Sequence, residues 1–319
     1  MKAAIRRHYG TPDSIKIEEI DKPKPNDNEI LVRIRATTVN RTDCANLTAK
    51  PFIMRFVLGL FKPRKTILGT DFAGEIVEIG KNIENFKPGD RVFGFTDTGI
   101  KSQAEYMAID PRDKVLLLPD NVDFVQGAAS LEGAHYAYSF VHKTKIRTGS
   151  RLLINGASGA IGSALIQFIK PISADITATC NSKSARLIAA LGANRVIVYT
   201  EEDFTKIEDK FDYIFDAVGK STFGKCRHLL KKDGVYISSE LGPYSQNLFL
   251  AIWTSFSKRK KVIFPIPYSL KKTLPYIHKH LEKGTFNPVV DQTFDLDSIA
   301  QAYTYVLTGQ KTGNVIIEL

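Results

Sequence analysis

The sequence predicts an α/β protein in which a doubly wound parallel sheet domain is inserted into a β-rich domain built from both ends of the chain. Three features of the pattern predict it. The first 125 or so residues carry short apolar stretches between turn residues. From about Val125, strand and helix signals alternate. After about residue 265 the chain carries one more helix signal and closes in a β-rich tail. Strands alternating with helices imply crossover units and a parallel sheet covered on both faces. The 319 residues suffice for two domains, at about 100–200 residues each. The boundaries are expected at 1–125 plus 265–319 for the β-rich domain and 126–264 for the inserted one.

In chain order, the early strands are Ile30-Leu31-Val32-Arg33-Ile34, the run from Gly74 to Gly80, and Asp90-Arg91-Val92-Phe93-Gly94, with Lys87-Pro88-Gly89-Asp90 as a turn between them. In the middle, 150–155 is a short apolar strand. Residues 163–170 have helical spacing and stop at Pro171. The β-branched run 175–180 is a strand, and 183–191 a helix ending at Gly192. Further strands fall at 195–199, 211–218 and 234–238, with helical segments between them. A helix is expected over 270–284, and the tail holds strands around Pro288-Val289-Val290 and Gly313-Asn314-Val315-Ile316-Ile317.

Composition narrows the function classes. No apolar run approaches the roughly 18–20 uncharged residues of a membrane span. The stretch Met1-Lys2-Ala3-Ala4-Ile5-Arg6-Arg7 has no long apolar segment behind it, unlike a signal peptide, so a soluble, cytoplasmic protein is expected. The three cysteines, Cys44, Cys180 and Cys226, are scattered and odd in number, which excludes a disulfide framework and a CxxC metal knuckle. The net charge of +10 suits a nucleic-acid protein, a site for a highly anionic cofactor, or a lysine-rich solvated surface. Nucleic acid is the less favoured partner. The one dense basic run, Lys258-Arg259-Lys260-Lys261, reads as a solvated loop or helix end.

The sharpest local signal is Ile154-Asn155-Gly156-Ala157-Ser158-Gly159-Ala160-Ile161-Gly162, which follows an apolar strand and opens an amphipathic helix. A dinucleotide pyrophosphate needs that context: glycines let the backbone turn tightly, and the helix start offers unpaired N–H groups and a positive dipole end. The inserted domain is therefore Rossmann-like, with Gly156, Ser158, Gly159, Ala160, Ile161 and Gly162 at the phosphates. The end of the next strand selects the dinucleotide. An NAD site usually places a carboxylate there, about 20 residues beyond the first glycine. Here the residues are Thr179-Cys180-Asn181-Ser182-Lys183-Ser184-Ala185-Arg186. Asn181, Ser182, Lys183 and Arg186 would attract a 2′-phosphate that a carboxylate would repel, so the expected cofactor is NADPH. Lys183 and Arg186 would otherwise be the solvent face of the following helix.

Several segments together resemble the medium-chain dehydrogenase/reductase superfamily. The run from Gly69-Thr70-Asp71 to Gly80 is similar to its G-[HT]-[ED]-x-x-G-x-V-x-x-x-G segment. Phe86-Lys87-Pro88-Gly89-Asp90-Arg91-Val92 matches its F-x-x-G-D-x-V, and Asn155 to Gly162, Leu191-Gly192-Ala193 and Phe211 to Gly219 resemble its cofactor-domain markers. The resemblance spans nearly the whole chain and identifies the β-rich part with the family's GroES-like catalytic domain. Zinc members carry Cys, His and a third ligand. The corresponding positions here hold Asn40, Thr70 and, by a less certain match, Glu132-Gly133, so the resemblance is to the zinc-free quinone oxidoreductase and enone (alkenal) reductase branch, with no metal expected. That branch delivers a hydride to an already electrophilic carbon, whose delocalised product anion needs only hydrogen bonds for stabilisation.

The resemblance also implies site residues. Asn40 and Asp43 sit where similar reductases place groups beside nicotinamide and substrate; otherwise Asn40 caps a turn and Asp43 is structural. Tyr136 falls near the cofactor phosphates, or in the core. His135 is a tempting general acid, but one His beside a Tyr more often packs, and water or a ribose hydroxyl is an equal proton source. Val218, Gly219, Leu241 and Gly242 are expected near the nicotinamide ribose, and Lys311 and Asn314, in Lys311-Thr312-Gly313-Asn314-Val315, at the cofactor unless they form a simple turn. The apolar, basic segment 51–67, with Phe52, Phe56 and Phe61, is expected to roof the substrate cleft rather than touch a membrane. Trp253 and Phe256 would line the cleft or meet a second copy. A quinone or enone is the expected partner molecule, and the resemblance implies a homodimer, with strands near 235–241 and 262–266 available to pair across subunits. Two other readings stand beside this one: a non-catalytic NADPH-binding scaffold or nucleic-acid binder of the same fold, and an alcohol dehydrogenase-like enzyme.

Overall fold

Residues 1–50, 52–256, 259–264 and 266–319 are described here from a computed structural model. Two compact units divide the chain, Met1–Glu132 with Ser269–Leu319, and Gly133–Tyr268.

The second unit is built on six parallel strands. They are β1 (Arg151–Asn155), β2 (Asp175–Cys180), β3 (Arg195–Val198), β4 (Phe211–Asp216), β5 (Leu230–Ser238) and β6 (Lys261–Ile263). Their spatial order is 3-2-1-4-5-6, which is the doubly wound dinucleotide-binding order. Parallel strands buried on both faces read as continuous apolar runs; the β1 side chains Leu152, Leu153 and Ile154 are fully buried. The helix Ala160–Ile169 follows β1 and is buried along nearly its whole length. The second-unit part of helix Glu132–His142 is fixed by Phe140, whose ring meets Phe215 of β4 edge-on at 5.3 Å, a contact worth about 0.5–1.5 kcal/mol beyond its area. A second core joins Leu153, Phe211, Ile214, Leu229, Tyr236 and Val262.

The first unit holds a seven-stranded sheet, six strands of it in the order Val290–Asp295, Asn314–Glu318, Ile30–Val39, Asp71–Ile79, Arg91–Phe95, Val115–Leu117, and the seventh, Tyr106–Ile109, paired to Ile30–Val39. All pairs are antiparallel except the first, which joins the two tail strands. Ile30–Val39 lies at the centre, and Ile30, Val32, Ile34, Phe72, Ile76 and Val92 form one core around it. A second core seats the short helix Arg41–Thr48, through Cys44 and Leu47, against Ile299, Ala302, Tyr303 and Val306 of the helix Ile299–Leu307. The tail strands thus complete the amino-terminal sheet, and the chain leaves this unit for the second and returns to it.

Candidate functional site

At the carboxyl end of β1 the chain makes a tight turn. Gly156 has φ of +81°, and a Cβ there would lie 2.4 Å from Val218 Cγ1. The turn is tied down on its inner side: Thr179 Oγ1 accepts from Gly156 N at 3.1 Å, and the Thr179 carbonyl accepts from Ala157 N at 2.9 Å. Gly162 lies so close beneath it that a Cβ would meet Gly156 O at 2.3 Å and Ala157 Cα at 2.6 Å. Gly159, the N-cap of helix Ala160–Ile169, differs. Its nearest such contact is Gly156 O at 3.6 Å. Ser158, Gly159, Ala160 and Ile161 are half-buried. The first N–H of this helix to reach a carbonyl within the turn is that of Ser163, bonded to Gly159 O at 2.9 Å. The N–H groups before it are those a helix start leaves unsatisfied, and they carry the positive end of the dipole. Close approach, open backbone and unsatisfied donors together make a phosphate cradle. NADPH fits it by that geometry. Gly133, in helix Glu132–His142, lets that helix pass directly against the start of helix Ala160–Ile169, since a Cβ there would lie 2.7 Å from Ala160 C.

A buried polar network holds the strand ends around the cradle. Asn155 Oδ1 accepts from Thr179 Oγ1 at 2.8 Å, and its Nδ2 donates to Asp216 Oδ1 at 3.0 Å. Asp216 Oδ2 accepts from Tyr236 Oη at 3.0 Å and from Ser221 N at 3.1 Å. Burial raises the Asp216 pKa, and these hydrogen bonds oppose the rise. Residues of β1, β2, β4 and β5 are thereby locked together at their carboxyl ends, where open α/β sheets bind ligands. Val218 and Gly219 follow β4, and Leu241 and Gly242 follow β5. A Cβ at Gly219 would meet Glu240 Cγ at 2.2 Å, so the two loops touch.

At the end of β2, Asn181 accepts from Ser184 N at 2.9 Å and caps the short turn 182–184. Ser182, Lys183 and Arg186 are exposed. No ion pair engages Lys183 or Arg186 among the described residues, and no carboxylate occurs in the run 179–186.

In the first unit, Asn40 and Asp43 form a reciprocal capping box at the start of helix Arg41–Thr48. Asn40 Oδ1 accepts from Asp43 N at 2.9 Å, and Asp43 Oδ2 accepts from Asn40 N at 3.1 Å. Asn40 Nδ2 donates to Thr70 Oγ1 at 2.8 Å. Both side chains are buried. Burial holds the Asp43 carboxyl far above the usual carboxylate range, with the nearby Asp71 and Glu132 adding to the shift. Asp71 accepts from Thr38 N and Thr38 Oγ1 at 2.9 and 2.8 Å; burial still pushes its pKa up to about 7. The half-buried polar pair of this corner is Thr42 and Glu132, with Thr42 Oγ1 donating to Glu132 Oε1. Desolvation raises Glu132 to about 8, helped by Asp71 and Asp97 and opposed by Thr42 and Lys311. The Lys311 ammonium donates to Gly313 O, and burial lowers its pKa. Asn314 is buried, its backbone and side-chain N–H groups both directed to Val289 O. A cavity of about 180 Å³ in this unit is lined by Leu58, Ile67, Leu68 and Gly69, with Arg6 and Lys65 among its basic residues.

Tyr136 is half-buried, and its ring meets His135 edge-on at 5.6 Å. Burial drives the His135 pKa down to about 4, so the imidazole is neutral near pH 7 and a poor acid there. Phe52, Phe56 and Phe61 are 62%, 65% and 89% exposed, an apolar surface rather than core; Pro51 lies outside the described residues. Trp253 and Phe256 are likewise exposed. Within the basic run, Lys258 lies outside the described residues; Lys260 Nζ donates to Arg227 O at 2.7 Å.

Comparison with known proteins now adds to this geometry. Residues 26–145 match the family described as alcohol dehydrogenase GroES-like domain, and residues 191–317 the family described as zinc-binding dehydrogenase. The chain is 32% identical to the 2-methylene-furan-3-one reductase of Solanum lycopersicum, over 99% of its own length and 79% of that protein's. It is 30% identical, over the same shares, to the chloroplastic NADPH-dependent alkenal/one oxidoreductase of Arabidopsis thaliana. The chain belongs to the medium-chain dehydrogenase/reductase superfamily. The fold agrees: the Escherichia coli quinone oxidoreductase solved with NADPH superposes with a TM-score of 0.83 at 22% identity, covering 100% of both chains. The Coxiella burnetii quinone oxidoreductase does so at 0.86 and 23%, covering 100% of this chain and 99% of its own.

One family description includes zinc, and the donor set here does not fit it. Superfamily zinc sites use thiolate, imidazole and carboxylate. Positions 40 and 70 offer an amide and a hydroxyl that are hydrogen-bonded to each other. Among the described residues no three His, Cys, Asp or Glu side chains group as a metal set. We therefore derive no step through a metal. The residues that sequence reasoning left without a role are Thr42, Glu132, Asp216 and Thr179. A signal for Glu132 was present in the less certain match that sets Glu132-Gly133 against the third ligand of the zinc members.

Proposed function

We propose that this medium-chain dehydrogenase/reductase is an NADPH-dependent oxidoreductase that reduces quinones or α,β-unsaturated carbonyl compounds. One observation carries the reading: a glycine turn leads into the start of helix Ala160–Ile169, where the first N–H groups have no partner within the helix, and the strand end that selects the nucleotide presents Lys183 and Arg186 without a carboxylate. The relatives' names support it, since one is an NADPH-dependent alkenal/one oxidoreductase and another a chloroplastic quinone-oxidoreductase homolog from Spinacia oleracea.

The second unit binds and orients the nucleotide. Gly156 and Gly162 bring the turn close to the phosphates. Ser158, Ala160 and Ile161 donate to the pyrophosphate, Gly159, whose N–H is turned to Gly156 O, leaves the approach open, and Asn181, Ser182, Lys183 and Arg186 hold the 2′-phosphate. Val218, Gly219, Leu241 and Gly242 shape the wall at the nicotinamide ribose. Bound NADPH supplies a hydride. In the first unit, Asn40 and Asp43 act as positioning residues that fix Thr70 and the start of helix Arg41–Thr48; in the second, Tyr136 is a further hydroxyl available to cofactor or substrate. Lys311 and Asn314 are assigned as cofactor contacts, as the resemblance of Lys311-Thr312-Gly313-Asn314-Val315 to the family's closing segment implies.

We assign the nucleotide-binding role to the unit Gly133–Tyr268 and the catalytic role to Met1–Glu132 with Ser269–Leu319, a few residues beyond each boundary expected from the sequence. We also propose a homodimer in the cytoplasm. Two features support the dimer. β6 is an edge strand, paired on one side only among the described residues. Beside it in sequence, Phe249, Ile252, Trp253 and Phe256 are 65–87% exposed, more apolar surface than a monomer usually leaves open. No helix of the described residues is long and apolar enough to cross a membrane.

The test is NADPH oxidation by purified protein with a small quinone and a small 2-alkenal, repeated with NADH. Turnover that prefers NADPH supports the reading. No turnover with either electrophile class, or preference for NADH, overturns it.

A further inference from the structure

We propose that the cavity in the first unit is a binding site for a small carboxylate anion with a short aliphatic tail. Its lining residues all belong to that unit, so the inference stands apart from the nucleotide. Among the described residues that line it, Arg6, Arg64 and Lys65 are cations and none is a carboxylate. Leu58, Ile67 and Leu68 give it an apolar wall. The volume of about 180 Å³ admits a small organic anion but not a nucleotide, since one water takes about 30 Å³ of the liquid.

Arg6 carries the argument. It is 2% exposed, and a guanidinium is always charged and must place a full set of N–H donors. Nη1 donates to Asn46 O, while Nε has no hydrogen-bond partner among the described residues. No ion pair engages Arg6 among those residues. Asp43 is close enough to act on Arg6, but Asp43 Oδ2 accepts from Asn40 N and burial favours its uncharged form. A buried charge is costly unless it is paired. A carboxylate in the cavity supplies the missing counter-charge, and its two oxygens match the planar fork of a guanidinium. The aliphatic tail then covers the wall of Leu58, Ile67 and Leu68.

The walls are tied together within the fold. The Arg6 guanidinium carbon lies 5.2 Å from the centroid of the Tyr9 ring, a packing that favours the cation. Tyr9 Oη donates to Gly59 O at 2.6 Å and so fastens the segment that carries Leu58. Arg64 N donates to Leu58 O at 2.8 Å, Arg6 N to Thr66 O at 2.8 Å, and Lys65 Nζ to Thr98 O at 2.9 Å. Burial lowers the Lys65 pKa, and Lys101 and Lys114 push it the same way, so this side of the unit carries a positive field that draws anions. The apolar, basic character of segment 51–67 thereby finds a use: Leu58, Arg64, Lys65 and Ile67 of that segment face Arg6 across one cavity.

The experiment titrates butyrate into the purified full chain by calorimetry at constant ionic strength, with sulfate and butanol as controls and thermal melts alongside. The wild type is expected to bind butyrate saturably, and its Tm to rise as butyrate is added. Sulfate lacks the tail and butanol lacks the charge, so each should bind at least about tenfold more weakly. Arg6→Met should weaken butyrate by about tenfold or more, the loss expected when a hydrogen bond to a charged group is removed. Leu58→Trp, at a half-buried position, takes up the space of the tail and should weaken butyrate to a similar degree. It decides the matter if Arg6→Met fails to fold. The proposal is overturned if the wild type shows no saturable butyrate binding, if sulfate or butanol binds as tightly, or if either folded variant binds butyrate like the wild type.

Discussion

The glycines of the phosphate turn separate a structural role from a binding role, because the space around each differs. At Gly162 a methyl group would be driven into backbone, 2.3 Å from Gly156 O and 2.6 Å from Ala157 Cα. Backbone cannot rotate aside as a side-chain terminus can. Overpacking of this kind costs about 1–3 kcal/mol, and each kcal/mol lowers Tm by roughly 2–4 °C in a protein of this size class. Gly162→Ala should therefore lower Tm by roughly 2–12 °C and weaken NADPH binding by distorting the turn. Gly159 has φ of −74°, and a methyl group there meets nothing nearer than 3.6 Å. The gain in unfolded-state rigidity and the loss of a glycine cap nearly cancel, so Gly159→Ala should change stability by less than about 0.5 kcal/mol. Its methyl group projects from the open face of the cradle, however, and should raise the Kd of NADPH about tenfold or more, or at least about 1.4 kcal/mol. Thermal melts and fluorescence titration of NADPH measure both quantities. Gly159→Ala binding NADPH like the wild type would refute the cradle. Gly162→Ala melting at the wild-type temperature would refute the close approach beneath it.

Other consequences can be checked in the same preparations. Lys183→Ala with Arg186→Ala should weaken NADPH by about tenfold or more, flatten its salt dependence and leave NADH unchanged; equal losses for both nucleotides would contradict the 2′-phosphate assignment. Tyr236→Phe should destabilise the fold by about 1–3 kcal/mol, since a buried Asp216 oxygen loses a partner, and a melt within error of wild type would dismiss the network as a support. Asp71 has a folded pKa of about 7 against an unfolded value of about 3.9. The folded protein therefore holds a proton that the unfolded chain has lost, and this group's contribution to stability falls as pH rises from about 4 to about 7. Asp71→Asn carries no such titration, so urea melts should show the variant gaining on the wild type across that window; parallel curves would refute the shift.

The inserted sheet was legible in the sequence because its signals are local. Apolar runs such as 150–155 and 175–180 match β1 and β2 to within a residue, and Gly192 and Pro171 mark helix ends where the chain places them. Most of the missed elements depend on tertiary context. The helix Ile299–Leu307 and the strands Tyr106–Ile109 and Val115–Leu117 are short, and their partners lie far along the chain. The strand Val290–Asp295 is half-exposed and mostly polar, so only its pairing with Asn314–Glu318 defines it. In the candidate site, the glycine turn was readable from its spacing, whereas the buried polar corner around Asn40 and Glu132 was not. Asn40 and Asp43 drew attention by residue type, but their three-residue spacing is that of a capping box. Glu132 meets Thr42 across 90 residues, and no local pattern announces such a pair.

Direct titration of the purified protein with NADPH and NADH, with crystals of the NADPH complex, tests the central claim most directly. The account predicts tighter binding of NADPH, its pyrophosphate on the amides of 158, 160 and 161 and its 2′-phosphate beside Lys183 and Arg186. Equal affinity for the two nucleotides, or a pyrophosphate bound away from that turn, would contradict it.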